Sequence, residues 1–220
     1  MTEIPAVPAY NPYLRFMRNG EVNTAADIWT REVRFENRGG EQLMQLRQRW
    51  DGVGPAPSMR LIDSWFDAGS LRPRTHERVS ERDGKKVVEG FAFAPDRITG
   101  LKELAGNTQK DLSVESPEPA YNFEADIELL QTLPLAAGYE ARINFYHPGG
   151  STPPQRYTFK VTGSHTIAGP AGPVDCWVVT TDYNRPGALT TSWFAKSTQL
   201  MVRQESQAGD GKVMVKTLID

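Results

Sequence analysis

Residues 29–50 read WTREVRFENRGGEQLMQLRQRW, and this stretch decides the fold class. Apolar side chains recur at alternate positions on either side of a polar, glycine-containing segment at residues 37–40. An alternation of period two is typical of β-strands that bury one face, and a short glycine-rich connection between two such runs is typical of a hairpin. The stretch therefore predicts two antiparallel strands joined by a tight turn.

The same alternation continues along most of the chain. Residues 59–67 and 87–93 form two further runs, with the hairpin signal Asp83-Gly84 between them, and more runs follow after residue 138. In the run 59–67, the alternation places Met59, Leu61 and Trp65 on the buried face. We therefore predict a mainly β protein, with a single curved antiparallel sheet or an open β-barrel or clamshell and one helix packed across it.

One helix interrupts the strand pattern. Asn122 is a plausible N-cap, acidic residues follow it, and an apolar stripe runs to Leu133 before Pro134. The preceding residues, 101–120, are polar and rich in proline, which indicates a loop or crossover. We expect one domain with four parts: an extended N-terminal segment (1–25), a first meander (26–105), a helix (121–133) and a second meander (138–220).

Composition excludes several classes of protein. The chain has 220 residues and a formal net charge of −2, from 25 basic and 27 acidic residues, with no clustered basic face of the kind that binds nucleic acid. No apolar run is long enough to span a membrane as a helix. The single cysteine, Cys176, excludes a disulfide within the chain and any multi-cysteine metal site.

The common motifs of cofactor and metal enzymes are also missing from the sequence. It has no glycine-rich dinucleotide fingerprint, no P-loop, no nucleophile elbow, no His-Glu-x-x-His and no EF-hand loop. We therefore predict no cofactor and no metal site.

Aromatic residues in phase with the strands could line a hollow of the curved sheet. Such a hollow would bind an apolar or aromatic ligand, whereas the same side chains would form an ordinary core if the hollow were filled. Arginines on nearby strands could bind an anionic or carboxylate group, because the guanidinium presents a bidentate fork of donors. The predicted ligand-binding residues are Trp29, Trp50, Trp65, Tyr139, Phe145, Arg47 and Arg74.

A catalytic alternative rests on proton-transferring side chains. His147 follows an apolar strand face, Tyr146 is its neighbour, and His165 lies in register with Val161. Histidine and tyrosine can move a proton during catalysis, and an arginine can stabilise developing negative charge. His147, His165 and Tyr146 are therefore the candidate catalytic residues. His76 shares its alternate positions with Arg72, Arg74 and Arg78, which favours a solvated strand face for that histidine.

Several segments of the second half resemble a known family. These are LPLAAGY (133–139), VTGSH (161–165), PAGPVDCWVV (170–179), SWF (192–194) and LMVR (200–203). Together they resemble a family of exported bacterial proteins that is known only as a domain of unknown function. The resemblance implies a β-rich clamshell, similar in outline to the periplasmic lipoprotein-sorting chaperones, that holds a hydrophobic ligand. It implies no catalytic residues.

Three functions remain open from the sequence, one of which is a structural or envelope-interaction protein that has no small ligand and whose hollow is filled by side chains. The other two act on a small molecule. The first is binding of a hydrophobic or aromatic, lipid-like molecule in the concave face of the sheet, in the bacterial envelope. The second is a cofactor-independent lyase, isomerase or hydrolase acting on a small apolar or aromatic substrate. The start of the sequence lacks the basic and apolar regions of a secretory signal, but its prolines, Pro5, Pro8 and Pro12, are typical of the start of a mature exported chain. We therefore expect a periplasmic protein, with a cytoplasmic one as the alternative.

Overall fold

The computed structural model describes residues 13–21, 27–53, 57–207 and 213–219. In the first of these ranges, Met17 is the only residue whose side chain is described. The described residues form fifteen strands and one short α-helix, which confirms the predicted mainly β fold. Parts of the predicted segment 1–25 and of the second meander lie outside the described residues.

The strands fall into two meanders on either side of the helix. The first contains β1 (Tyr13–Glu21), β2 (Asp27–Arg38), β3 (Glu41–Gly52), β4 (Ser58–Asp67), β5 (Pro73–Arg82), β6 (Lys85–Phe93), β7 (Arg97–Gly100) and β8 (Ser113–Glu115). The second contains β9 (Tyr121–Asn122), β10 (Glu140–Tyr146), β11 (Gln155–Gly169), β12 (Gly172–Thr181), β13 (Thr190–Ala195), β14 (Met201–Gln207) and β15 (Val213–Leu218). Strand β1 was not predicted, because its residues were assigned to an extended segment.

All fifteen strands belong to one continuous sheet. Its order runs from β8 back to β1, then from β15 back to β9, so the two meanders join where β1 pairs antiparallel with β15. Among the described strands, β9 alone pairs parallel with its neighbour, β10. Within the described residues no pairing joins the two edge strands, β8 and β9, so the sheet is open. Residues 116–120 connect these two edges, and we call this place the seam.

The hairpin at residues 37–40 has the predicted geometry. Gly39 and Gly40 both have positive φ, at 61° and 88°, as the type I′ turn of a two-residue hairpin requires. The side chain of Asn37 accepts a hydrogen bond of 3.1 Å from the amide of Gly40. Strands β2 and β3 consequently pair along their whole length, with Trp29 directly opposite Trp50.

Strand β4 has the opposite phase to the predicted one. Ile62 and Phe66 are buried in the interior, whereas Leu61 is 40% exposed. The inward position between the two buried residues is the polar Ser64, which is fully buried and hydrogen-bonded to His76. Because apolar residues occupy both faces of β4 and a serine points inwards, the alternation of hydrophobicity alone indicates the wrong face.

The predicted helix is present but shorter than expected. The Asn122 side chain accepts a hydrogen bond from the amide of Glu124 and so caps a 3-10 turn at Phe123–Ala125, which leads into α1 (Asp126–Gln131). The N-cap prediction is therefore confirmed. Every residue of α1 is buried, including its charged ones, because the helix lies inside the curve of the sheet rather than across its open face. The main core contains residues of both meanders packed around this helix.

Candidate functional site

The concave interior, where we expected a ligand, is filled by the chain itself. Leu129, Leu130 and Leu133 of the helical segment are at most 2% exposed and pack in the main core. The space left between α1 and strands β1, β2 and β15 is about 10 Å³. A volume of this size is at the lower limit for one water molecule. Among the described residues, the predicted hollow beside α1 is therefore a filled core.

A buried ion pair fixes α1 to strand β2. Arg31 donates to both carboxylate oxygens of Glu128, at 3.0 and 2.6 Å, and both side chains are almost fully buried. Arg31 also donates to the Gln48 side chain on β3 at 2.5 Å and to the carbonyl of Glu124 at 3.2 Å. Gln48 in turn donates to the same carbonyl at 2.9 Å. Arg31, Gln48, Glu128 and the Glu124 carbonyl thus form one hydrogen-bonded network beside α1.

Two predicted wall residues form an aromatic stack beside this ion pair. The rings of Trp29 and Trp50 lie parallel with their centroids 4.0 Å apart. The ammonium of Lys216 lies 4.6 Å from the Trp29 centroid and the guanidinium of Arg60 lies 4.8 Å from that of Trp50, so a cation covers each outer face. Burial lowers the pKa of Lys216, although nearby Asp126 opposes this effect. The stack has no free aromatic face for a ligand.

The other predicted wall aromatics are divided between core and surface. Phe145 is 1% exposed, and Tyr139 packs against the same core cluster. Trp65 lies on the outer face of β4, where the guanidinium of Arg38 covers its ring at 3.6 Å. The structure therefore brings Trp29, Trp50, Tyr139 and Phe145 together as core, and it separates Trp65 from them.

The three candidate catalytic residues do not form one site. Tyr146 is buried, and its hydroxyl donates to the carbonyl of Gly150 at 2.7 Å. His165 is exposed on β11, opposite Cys176. His147 lies at the surface against the ring of Phe123, with its Nε2 3.2 Å from the Tyr157 hydroxyl. Partial burial and the nearby Arg185 lower the pKa of His147.

His76 is the most buried histidine, contrary to the predicted solvated position. Its Nδ1 lies 2.8 Å from the Ser64 hydroxyl and 3.1 Å from the side-chain amide of Asn122. Nε2 is buried without a hydrogen-bond partner. Burial, together with Arg78 and Arg60, lowers the pKa of His76 to about 3, so the ring is neutral. The contacts connect β4 and β5 to β9, which indicates a structural role.

An open cavity of about 350 Å³ lies at the seam. Three connections contribute to it: the turn from β4 to β5, the turn from β6 to β7, and residues 116–120. The ring of Phe93 lies edge-on to Tyr146, with centroids 6.1 Å apart. We call this cavity the seam pocket, and its lining residues are Asp67, Ser70, Arg72, Pro73, Arg74, Phe93, Ala94, Pro95, Pro119 and Ala120.

The seam pocket combines apolar walls with two arginines. Arg72 donates to the carbonyl of Pro119 at 2.9 Å, and its guanidinium lies 4.3 Å from the centroid of the Tyr121 ring. Arg74 was a predicted ligand-binding residue, and it is half exposed at the pocket. Sequence reasoning missed Phe93, which it assigned to a strand. It also missed the prolines, because no local sequence signal shows that these three separate connections meet to form one pocket.

A second, wider cavity of about 500 Å³ lies on the outer face of β2 to β5. It contains Arg47, another predicted ligand-binding residue, whose guanidinium is 4.0 Å from the carboxylate of Asp63. Asp63 also accepts from the side chain of Gln45 at 2.9 and 2.8 Å. Burial and the opposing Asp63 raise the pKa of Glu77. Arg47 and Arg74 thus line two different cavities.

Two searches of the described residues bear on function. No three histidine, cysteine, aspartate or glutamate side chains in the described part of the chain are grouped so that they could bind a metal ion. None of the helices in the described ranges has both the length and the apolar character needed to cross a bilayer.

The fold is similar to that of a solved protein with a distant sequence. A crystal structure of a "Beta-barrel-like Protein of Domain of Unknown Function DUF1849 from Brucella abortus" superposes with a TM-score of 0.59 at 11% sequence identity. The alignment covers 95% of this chain and 96% of the other. At this identity the likeness concerns the fold alone. No curated protein matches the sequence.

The family itself is shown by sequence. A family model described as "Protein of unknown function (DUF3108)" matches residues 10–216, which is nearly the whole chain. The match extends well beyond residues 120–207, where the family resemblance was found in the sequence. The protein is therefore a member of the DUF3108 family.

Proposed function

We propose that the protein binds a small hydrophobic or aromatic, lipid-like molecule, and that the site is the seam pocket. The observation that carries this proposal is a solvent-open cavity with apolar and charged walls, lined in part by residues 119–120 between the two edge strands of the described sheet, while the described core beside α1 leaves little space. The proposal keeps the predicted ligand class and moves the site from the concave face to the seam.

The walls of the seam pocket suit such a ligand. Its volume of about 350 Å³ lies within the range of small-molecule sites, about 300–1,000 Å³. Three prolines line it, and a fixed φ makes each of these wall segments stiff. The half-buried ring of Phe93 adds an aromatic surface that its contact with Tyr146 holds in place. A preformed apolar wall reduces the entropy lost on binding.

The outer cavity supports the proposal less well. Five of its ten lining residues are charged, against three of ten in the seam pocket. Asp63 contacts Arg47 and Gln45 there, and it also faces the like-charged Glu77 on the neighbouring strand. A hydrophobic ligand would therefore leave these charges partly desolvated, at a cost in free energy.

The direct test uses N-phenyl-1-naphthylamine, a neutral aromatic probe whose fluorescence rises in apolar sites. Ala94 is exposed at the turn between β6 and β7 and lines the seam pocket, so Ala94→Trp should fill the space. We expect this variant to bind the probe at least tenfold more weakly than the wild type. Ala171→Trp is the matched control, because Ala171 is an exposed alanine in the turn between β11 and β12.

The control should bind the probe like the wild-type protein, and both variants should keep the wild-type thermal unfolding midpoint. Unchanged probe affinity in Ala94→Trp would place the ligand elsewhere and overturn the proposed site. Absence of any saturable probe binding by the wild type would overturn the proposed function.

We also propose that the protein works in the bacterial envelope, as the resemblance of residues 120–207 to exported proteins implies. Protease digestion of spheroplasts from the native host, read with an antibody to the protein, tests this location. An envelope protein should be released or digested, and a cytoplasmic one should remain protected until the cells are lysed.

A further inference from the structure

We infer that the ligand of the seam pocket carries an anionic group, a carboxylate or sulfonate, that binds Arg74. This inference rests on the proposed function and adds the chemical class of the ligand: an organic acid with an aromatic or short aliphatic body. It follows from the different ways in which the two arginines of the pocket are engaged.

The guanidinium of Arg72 already contacts other groups of the protein. Its Nη1 donates to the carbonyl of Pro119, and its guanidinium lies over the ring of Tyr121. These contacts hold residues 116–120 against the start of β5. Arg72 therefore shapes the pocket wall and contributes positive charge, while its position is fixed by the protein.

Arg74 has no comparably close partner in the described part of the chain. Its nearest carboxylate oxygens belong to Glu41, at 3.5 Å, and Asp67, at 3.9 Å. A charge-assisted hydrogen bond between a guanidinium and a carboxylate is about 2.7–2.9 Å long. Asp67 uses its Oδ1 to accept from the amide and the hydroxyl of Ser70, at 2.9 and 2.7 Å. The donor fork of Arg74 is thus available for a bidentate acceptor.

The charge of the lining favours the same class of ligand. Two guanidinium groups, Arg72 and Arg74, and one carboxylate, Asp67, line the seam pocket. The remaining walls are apolar or hydroxyl-bearing, and the charged lining residues all come from residues 67–74, with the Glu41 carboxylate beside Arg74. A ligand with an anion at one end and an apolar body at the other complements both features. Arginine is suited to this role because its planar fork matches a carboxylate or sulfonate.

The experiment compares two probes that share an aromatic frame. One is 8-anilinonaphthalene-1-sulfonate, which is anionic, and the other is neutral N-phenyl-1-naphthylamine. The wild-type protein should bind the sulfonate at least tenfold more tightly, because a bidentate charge-assisted pair typically contributes this much. Arg74→Gln should reduce the preference to within about threefold, chiefly because the sulfonate loses its charge-assisted contact.

Arg34→Gln is the matched control. Arg34 is about as exposed as Arg74, pairs with Glu32 on the same meander and lies outside both cavities. This variant should keep the full preference for the sulfonate. A preference lost equally in both variants would mean that net charge alone attracts the probe, which would overturn the role of Arg74.

The possible failures are distinguishable. Equal affinity of the wild type for both probes overturns the anionic class and leaves the proposed function intact. If the wild type binds neither probe saturably, both the anionic class of the ligand and the proposed function are overturned. A third arm adds sodium sulfate, with sodium chloride at equal ionic strength as its reference. If sulfate displaces the sulfonate probe at the concentration where the probe itself binds, the site binds the bare anion. That result would overturn the inference that the ligand is an organic acid.

Discussion

Removing the charge of Glu128 is expected to destabilise the protein strongly, because this carboxylate is the counter-charge of a desolvated arginine. Glu128 is fully buried, and Arg31 is nearly so. The variant Glu128→Gln keeps the shape of the side chain but leaves the Arg31 guanidinium positively charged inside the core. Breaking a buried pair in this way typically costs about 3–5 kcal/mol. Small domains have a free energy of unfolding of about 5–15 kcal/mol, so the loss should be easy to measure.

Urea-induced unfolding followed by tryptophan fluorescence measures this change without the ionic screening that guanidinium would introduce. The urea concentration at the unfolding midpoint should be lower for Glu128→Gln than for the wild type. The slope of the unfolding free energy against urea concentration should be similar in the two proteins. Glu32→Gln is the control, since it removes the carboxylate of the exposed Arg34–Glu32 pair and should cost less than about 1 kcal/mol. A loss below about 1 kcal/mol for Glu128→Gln as well would refute the reasoning that the pair is desolvated.

A double variant extends the same test. Arg31→Met combined with Glu128→Leu removes both charges, and Gln48 keeps its contacts with Trp50 and the Glu124 carbonyl. Its stability should exceed that of Glu128→Gln, because no unpaired charge is left in the core. Where these variants remain folded, affinity for the neutral probe should be unchanged, since none of the substituted residues lines the seam pocket.

Three further outcomes can be checked, two with single variants and one with the wild-type protein. Gly100→Ala should destabilise the fold by about 1–3 kcal/mol in urea, because a Cβ there would collide with the carbonyl of Gln109, whereas Gly163→Ala meets open space and should cost less. The folded state holds the pKa of His76 at about 3 while an unfolded histidine titrates near about 6.5, so stability should fall as the pH drops between these values, and His76→Gln should flatten that dependence. Burial raises the pKa of the Cys176 thiol, so a disulfide reagent should react only after unfolding; rapid labelling of the native protein would contradict this.

The alternation of apolar residues predicted the fold class because it reports local strand geometry directly. The hairpin at residues 37–40 and the cap at Asn122 were both correct, since each depends on a few adjacent residues. The phase of β4 was wrong, because Leu61 and Trp65 are apolar residues on the outer face. A guanidinium covers the ring of Trp65, and hydrophobicity alone cannot reveal such a contact.

The candidate site was only partly accessible to sequence reasoning. Arg74 was identified because arginines cluster near the start of β5, but its partners in the pocket come from segments far along the chain. A filled interior was one of two alternatives left open by the sequence, which could not decide between a filled core and a lined hollow. A short helix with Asp126 and Glu128 looks amphipathic in sequence, and only the opposing Arg31 and Lys216 explain why its charged side can also be buried.

The pairing of β1 with β15 has a consequence for how the chain folds. Met17 lies opposite Leu218, so the contact that joins the two meanders closes a loop of about 200 residues. By the logarithmic dependence of closure entropy on length, this costs about 3 kcal/mol more than closing a ten-residue hairpin. Each meander can form through neighbouring strands alone, so we expect the two to assemble first and to join last. Because the junction forms late, substitutions in it should mainly accelerate unfolding.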